Sequence, residues 1–280
     1  MREVFLDIGE LGWSLYLSAH MRWLKENNYP IPAIMTSPGR KALYNDMKPT
    51  FFKVPDEFYN DFSGRPQNCF ALYVASGKEL RDYFNSRLPV DYAISESQPF
   101  DCHLYKKIYV RKMIFTSYPY EAKLRGQKEI LVFPRARMAV PFDLRNLTRA
   151  FYIALINRLC EEFKNFTIRT LGTKTGAYDL TEIQKSNFIN FVGKTPTVQT
   201  LIDRYQLAIV TIGGQSAPPT LGLLQGIPTF MIGHEKDRHV RHENWMNTKA
   251  GFYEINKNNY DQFEFTDCIT QIVDFVEECK

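Results

Sequence analysis

The stretch LAIVTIGGQSAPPTLGLLQGIPTFMIG, residues 207–233, decides how the rest of the chain is read. Five of its first six residues are apolar and four are β-branched, the composition of a buried strand. Gly213 and Gly214 end that run, and Gln215 and Ser216 follow. Pro218 and Pro219 come next, residues accepted in the first turn of a helix. The segment after them is apolar and stops near Gly226, a residue suited to a helix end, and Pro228 leads into a second apolar run. The pattern predicts a strand, a glycine turn, a short helix and a second strand, and so a parallel sheet.

Working outward, the same alternation continues. EILVFPRAR reads as a strand, residues 146–163 as a helix, and FTIRTLG and NFINFVG as further strands. TVQTLIDRYQ reads as a helix with Thr197 as its N-cap, and DQFEFTDCITQIVDFVEECK closes the chain as a helix. The beginning repeats the theme. EVFLDI is a strand, SLYLSAHMRWLKENN a helix with apolar Leu15, Leu17, Met21 and Leu24 and a proline stop, and IPAIMTS a strand. Residues 45–70 read as irregular, and DYAIS and KIYVRKMIF as strands. The polar LRGQK places a boundary near Gly126. The expectation is an α/β protein of two Rossmann-like domains, residues 1–125 and 126–280, whose parallel sheets face a cleft.

A length of 280 residues suits about two domains. Hydrophobic residues at 44% and charged residues at 24% supply two ordinary cores. No apolar run reaches the roughly 18 residues of a membrane span. The start, with Glu3, Asp7 and Glu10, carries no signal-peptide pattern, so a cytoplasmic protein is expected. Cys69, Cys102, Cys160, Cys268 and Cys279 are odd in number and scattered, which points to reduced thiols and away from a zinc site. The net charge of +4 is unevenly spread. Lys106, Lys107, Arg111, Lys112, Lys123, Arg125, Lys128, Arg135 and Arg137 face only Asp101, Glu121 and Glu129 between residues 101 and 137. Such a surface suits an anionic partner: nucleotide phosphates, an acidic glycan, an anionic lipid surface touched peripherally, or nucleic acid.

Ligands of parallel sheets gather at the carboxyl ends of the strands, where helix N-termini offer N–H groups to phosphate. Gly213, Gly214, Gln215 and Ser216 fall at such a point, with Ser216 placed to donate to phosphate or cap the helix. No G-x-x-x-x-G-K-[ST] and no G-x-G-x-x-G occurs, which argues against a P-loop ATPase and a dinucleotide-dependent dehydrogenase. Arg135 and Arg137, at the end of a strand, are candidates for a bidentate phosphate clamp, and Lys194 in VGKT is a further cation. GHEKDRHVRHENWMN groups His234, His239 and His242, but the spacing matches no zinc motif, and Lys236, Arg238 and Arg241 would repel a metal ion. No D-x-D occurs, the spacing through which metal-dependent glycosyl transfer commonly holds its cation.

The run NFINFVGKTPTVQTLIDRYQLAIVTIGGQSAPPTLGLLQGIPTFMIG resembles the carboxyl half of the ADP-heptose:lipopolysaccharide heptosyltransferase family, with VGKT and GIPT its sharpest pieces. FPRARMAVPFDLRNLTRAFYIALINRL is similar to that family's strand, arginine-bearing loop and long helix, so the likeness covers roughly residues 130–233. It departs where the family has Asp-Ser/Thr-Gly, here Gly214-Gln215-Ser216, and where the family's histidine is replaced, around Pro219. The resemblance implies a GT-B glycosyltransferase that uses a nucleotide-sugar as co-substrate, with no cofactor and no metal. It makes Glu243 and Asn244 donor contacts, with Asn247 beside them, since HENWMNTKAGF resembles the family's donor-sugar segment, and His234, at the start of the same loop, is a further donor-binding candidate. IGELGWSLYLSAHMRWLKEN is similar to the family's amino-terminal loop, which makes Glu10 the acid facing the acceptor, with Gly12, Trp13 and Asp101 on the acceptor side. ELGW followed by SPGRKALYNDM also resembles bacterial and phage glycosyltransferase-like proteins.

Inverting transfer needs a base for the acceptor hydroxyl and stabilisation of the leaving diphosphate. Glu10 is the expected base, with Asp7 and Asp101 behind it. Three readings stay open: transfer to a glycan, transfer to a hydroxymethylated pyrimidine in phage DNA, and a non-catalytic nucleotide or sugar binding module.

Overall fold

The computed structural model describes residues 1–8, 11–55, 77–96, 128–136, 145–195, 197–234, 248–256 and 264–280. The chain divides into two compact units, Met1–Ser117 with Pro196–Gln199, and Tyr118–Thr195 with Thr200–Lys280. The boundary expected near Gly126 lies outside the described residues, as does the strand expected at KIYVRKMIF.

The first unit is built on a four-stranded parallel sheet. Its strands are β1 (Arg2–Leu6), β2 (Ala33–Thr36), β3 (Phe51–Lys53) and β4 (Tyr92–Ile94), in the spatial order β3-β2-β1-β4. The pairing Val4↔Ala33 and Val4↔Ile94 puts β1 in the middle. Helix α1 (Leu11–Glu26) connects β1 to β2, and α2 (Gly77–Asn85) precedes β4. Val4, Leu6, Ile8, Met35, Val54, Phe84 and Ile94 form a core on this sheet.

Helix α1 is buried on more than its apolar stripe. Ser14, Ser18 and Arg22 recur every fourth residue, which sets them on one face of the helix, and each is at most 3% exposed. That polar seam meets two 3₁₀ turns, Pro38–Leu43 and Asn45–Met47. Arg22 reaches both Asp46 oxygens at 2.9 Å and the Leu43 carbonyl at 2.6 Å. Residues 45–53 are therefore more ordered than the sequence suggests, since they hold the second 3₁₀ turn and the edge strand β3.

The second unit carries six parallel strands: β5 (Glu129–Phe133), β6 (Thr167–Thr170), β7 (Phe188–Asn190), β8 (Ala208–Gly214), β9 (Thr229–Gly233) and β10 (Ala250–Glu254). Their spatial order is β10-β9-β8-β5-β6-β7. The chain runs outward from β5 to β7, returns to the other side of β5 with β8, and runs outward again. The connecting helices are α3 (Arg149–Glu162), α4 (Val198–Tyr205) and α5 (Ala217–Leu224), and α6 (Phe265–Glu277) ends the chain.

Local chemistry explains these elements. Thr148 caps α3 by accepting the Phe151 amide at 3.2 Å, an interaction generally worth about 1 kcal/mol. Leu155, Ile156 and Leu159 of α3 and Ile272, Val273 and Val276 of α6 join Ile130, Val132, Val210 and Ile212 in one core. Each fully buried aliphatic or aromatic side chain there contributes roughly 1.5–3 kcal/mol by leaving water. Gly226, at φ +82°, turns the chain out of α5.

Candidate functional site at the carboxyl edge of the six-stranded sheet

Because all six strands run the same way, the segments that follow them emerge along one edge. Arg135 follows β5, Lys194 follows β7, Gln215 and Ser216 follow β8, and His234 follows β9. The expected donor residues that the structure describes, Arg135, Lys194, Gly213, Gly214, Gln215, Ser216 and His234, thus share one edge of one sheet. The order of connection reverses between β5 and β8, so their ends flank the topological switch point, the place where open parallel sheets bind ligands.

The double glycine is not the turn the sequence suggested. Gly213 and Gly214 are the last residues of β8, paired with Met231 and Ile232 of β9. Glycine is required at the first position by packing: a Cβ on Gly213 would lie 2.8 Å from Pro219 Cγ and 3.0 Å from Phe133 Cβ. Gly213 lets the first turn of α5 close down on β5 and β8. Around Gly214 a Cβ would meet only oxygens at ordinary distance: the Arg145 carbonyl at 3.5 Å, the Tyr152 hydroxyl at 3.8 Å and the Ile232 carbonyl at 3.9 Å.

Gln215 is 4% exposed. Its side chain lies over Gly233, where a Cβ would come within 2.2 Å of its Cγ and Cδ. Its Oε1 accepts the His234 main-chain amide at 2.9 Å, and the Gln215 main-chain amide donates to the Ile232 carbonyl at 3.2 Å. Gln215 therefore ties the end of β8 to the end of β9 and sets where residue 234 leaves the sheet, a positioning task that the sequence did not reveal.

Ser216 occupies the N-cap position of α5 without making a side-chain cap. Its hydroxyl donates to the Gly214 carbonyl at 3.2 Å. Pro218 and Pro219 sit in the first turn as expected. They also remove two of the amides that a helix N-terminus normally offers an anion. Among residues 217–219 only Ala217 has an N–H. Tyr205 donates to the Pro218 carbonyl at 2.5 Å and pins this turn from α4.

Arg135 is half-buried, and its backbone bridges to Ala177. Bonds from the Ala136 amide to the Gly176 carbonyl (2.9 Å) and from the Tyr178 amide to the Pro134 carbonyl (2.8 Å) hold this segment rigidly beside the loop after β6. Lys194 is exposed, donates to the Asn190 carbonyl at 3.4 Å and lies 5.8 Å from the Phe191 ring centre. Gly193, at φ +76°, makes the turn that carries it, and the side chain of Lys174 packs over that glycine. Lys174, on the loop after β6, is a further exposed cation at this edge. Nothing in its local sequence marked it.

On the first unit, Gly12 lies in the first turn of α1 rather than in a loop. Trp13 also belongs to α1. Asp7, held in reserve as a base, is committed elsewhere. It is 2% exposed and accepts Ser14 at 2.7 Å, Thr36 and Tyr44 each at 2.8 Å, and Arg40 at 3.3 Å. Arg40, wholly buried, also donates to Ser14 at 2.7 Å. With its oxygens engaged by four donors, Asp7 is a structural carboxylate. Glu10, Asp101, Arg137, Glu243 and Asn244 lie outside the described residues, as do His239, His242 and most of the basic 101–137 segment.

No family model matches the sequence, and no curated protein matches it. Solved structures do match. A glycosyl transferase family 9 protein from Veillonella parvula aligns with a TM-score of 0.55 at 12% identity, over 99% of this chain and 97% of that one. A heptosyltransferase from E. coli, solved with ADP-2-deoxy-2-fluoro heptose, aligns with a TM-score of 0.55 at 10% identity over 100% of both chains. The likeness is one of fold: the chain has the α/β architecture of these glycosyltransferases, with two parallel sheets, over its whole length. No helix among the described residues is long and apolar enough to cross a membrane.

Proposed function

We propose that the chain is a GT-B glycosyltransferase that moves a sugar from a nucleotide-sugar to an acceptor hydroxyl, most simply on a glycan, with inversion and without a metal. The observation that carries this reading is the switch point between β5 and β8. Arg135 and the Gly214-Gln215-Ser216 segment flank it, and Lys174 and Lys194 stand on the neighbouring loops. Full-length likeness in fold to glycosyltransferases supports it. In this reading the donor diphosphate lies on that edge. Arg135 and Arg137 neutralise the charge that develops as the bond from the anomeric carbon to the diphosphate oxygen breaks. Glu10 takes the proton of the acceptor hydroxyl as its oxygen bonds to the anomeric carbon. With Pro218 and Pro219 lacking N–H groups, cationic side chains carry more of the anion binding than the helix terminus does.

The test is a thermal-shift screen with UDP-, GDP-, ADP-, CMP- and dTDP-sugars, followed by hydrolysis of the stabilising donor without acceptor. A donor at 100 times its Kd contributes about 2.7 kcal/mol to the folded state and raises Tm. No shift with any nucleotide defeats the proposal. Loss of turnover in Glu10→Gln with donor binding kept distinguishes an enzyme from a binding module. Salt-dependent DNA binding would move the acceptor from glycan to DNA.

A further inference from the structure

One peptide at the carboxyl edge is held from both sides. It joins Gly233, the last residue of β9, to His234. Its carbonyl accepts the Ile255 main-chain amide, from the β10 side, at 2.7 Å. Its N–H donates to Gln215 Oε1, from the β8 side, at 2.9 Å. A peptide is planar, so fixing both of its polar groups fixes the plane and the direction in which His234 leaves the sheet.

The two bonds of Gln215 differ in kind. Its main-chain amide extends the ladder beyond the pair Gly214↔Ile232, which any residue except proline could do. The bond to His234 needs a side chain long enough to carry an acceptor to the neighbouring strand. Gly233 makes room for that side chain, since a Cβ there would overlap its Cγ and Cδ. The ladder does not require the Gln215 side chain, whereas the path of the chain at His234 does.

That path bears on one side of the site. β9 lies across the switch point from β6 and β7, whose following loops carry Lys174 and Lys194. Cations suit phosphate. The β9 side instead presents the half-buried His234 at a fixed place, and an imidazole can hydrogen-bond a sugar hydroxyl. Groups placed to bond a substrate hydroxyl discriminate strongly among substrates. We propose that Gln215 is a positioning residue that acts through His234. It sets how firmly and how selectively the sugar part of the donor is held, while the nucleotide part binds without it. The inference rests on the donor site proposed above.

The experiment uses the full-length chain. Gln215→Met keeps a side chain of similar length over Gly233 without its acceptor oxygen, and Gly233→Ala displaces the Gln215 side chain. His234→Ala and its combination with Gln215→Met complete the set. UDP, GDP, ADP, CMP and dTDP and their sugar conjugates are titrated by calorimetry, and kcat and KM are measured for the conjugate that reacts. Gln215→Met is expected to keep the wild-type Kd for the free nucleotide and a Tm within about 3 °C. Its kcat/KM for the conjugate should fall about tenfold, mainly through KM. Gly233→Ala should show the same pattern. The combined variant should be no worse than His234→Ala, because residues that act as one unit are not additive. Wild-type kcat/KM in Gln215→Met overturns the inference and leaves the donor site standing. Additive losses in the combined variant do the same, as does a loss of affinity for the free nucleotide equal to that for the conjugate. A wild type that binds no nucleotide defeats the donor site, and this inference with it.

Discussion

Asp7 shows how a residue placed at a catalytic position along the chain can be taken up by structure. It follows β1 directly, where a first-strand carboxylate would face a ligand, but Ser14, Thr36, Tyr44 and Arg40 surround it. Arg40 is wholly buried and ion-paired to that carboxylate at 3.3 Å. Removing one member of a buried ion pair typically costs about 3–5 kcal/mol. Asp7→Ala is therefore expected to lose that much stability, read as a fall in the urea midpoint with an unchanged slope. Asp7→Asn keeps an acceptor for Thr36 and Tyr44 and should lose less. If Asp7→Ala unfolds at the wild-type midpoint, the carboxylate is not structural and returns as a candidate base.

At the scale of the element, the two glycines that end β8 have different tasks, and substitution separates them. A methyl group on Gly213 would press against Pro219 Cγ at 2.8 Å and Phe133 Cβ at 3.0 Å, so α5 must lift from the sheet. Overpacking of this kind costs about 1–3 kcal/mol. Gly214→Ala meets nothing closer than 3.5 Å and should unfold within about 0.5 kcal/mol of the wild type. Equal midpoints in urea for the two variants would refute this account. The long elements around these glycines were legible because burial on both faces leaves continuous apolar runs, and Pro218, Pro219 and Gly226 mark the helix ends. β3, with three residues, and β10, whose residues are half-buried or exposed, were not. Edge strands owe their conformation to a neighbour, and local sequence records little of that. The buried polar seam of Ser14, Ser18 and Arg22 was not legible either, since its spacing shows its role only once the partner Asp46 is seen. In the site, the carboxyl-edge positions could be read from topology, whereas the link from Gln215 to His234 exists only in three dimensions.

At the scale of the whole molecule, each unit has a core of its own among the described residues, and the buried titratable groups of the two differ in their expected response to acid. His20 belongs to the first unit, 7% exposed and stacked between Phe5 at 5.5 Å and Trp23 at 6.1 Å. Burial lowers its pKa from 6.5 to about 4. The folded state then favours the neutral ring, and below pH 6.5 the unfolded chain takes up a proton that the folded chain refuses. Stability from this group is present above pH 6.5, declines as pH falls toward 4, and changes no further below that, by roughly 3 kcal/mol at most. In the second unit, the buried groups with shifted pKa among the described residues are tyrosines and cysteines moved upward, which stay neutral throughout that window. Hydrogen exchange followed from pH 7 to 4.5, corrected for intrinsic rates, should show protection falling in β1, β2 and α1 before it falls in β5 and β8. His20→Phe keeps the stack without the proton, so its first unit should hold its protection over the same range. A parallel loss in both units, or an unchanged acid response in His20→Phe, would place the acid sensitivity elsewhere in the chain.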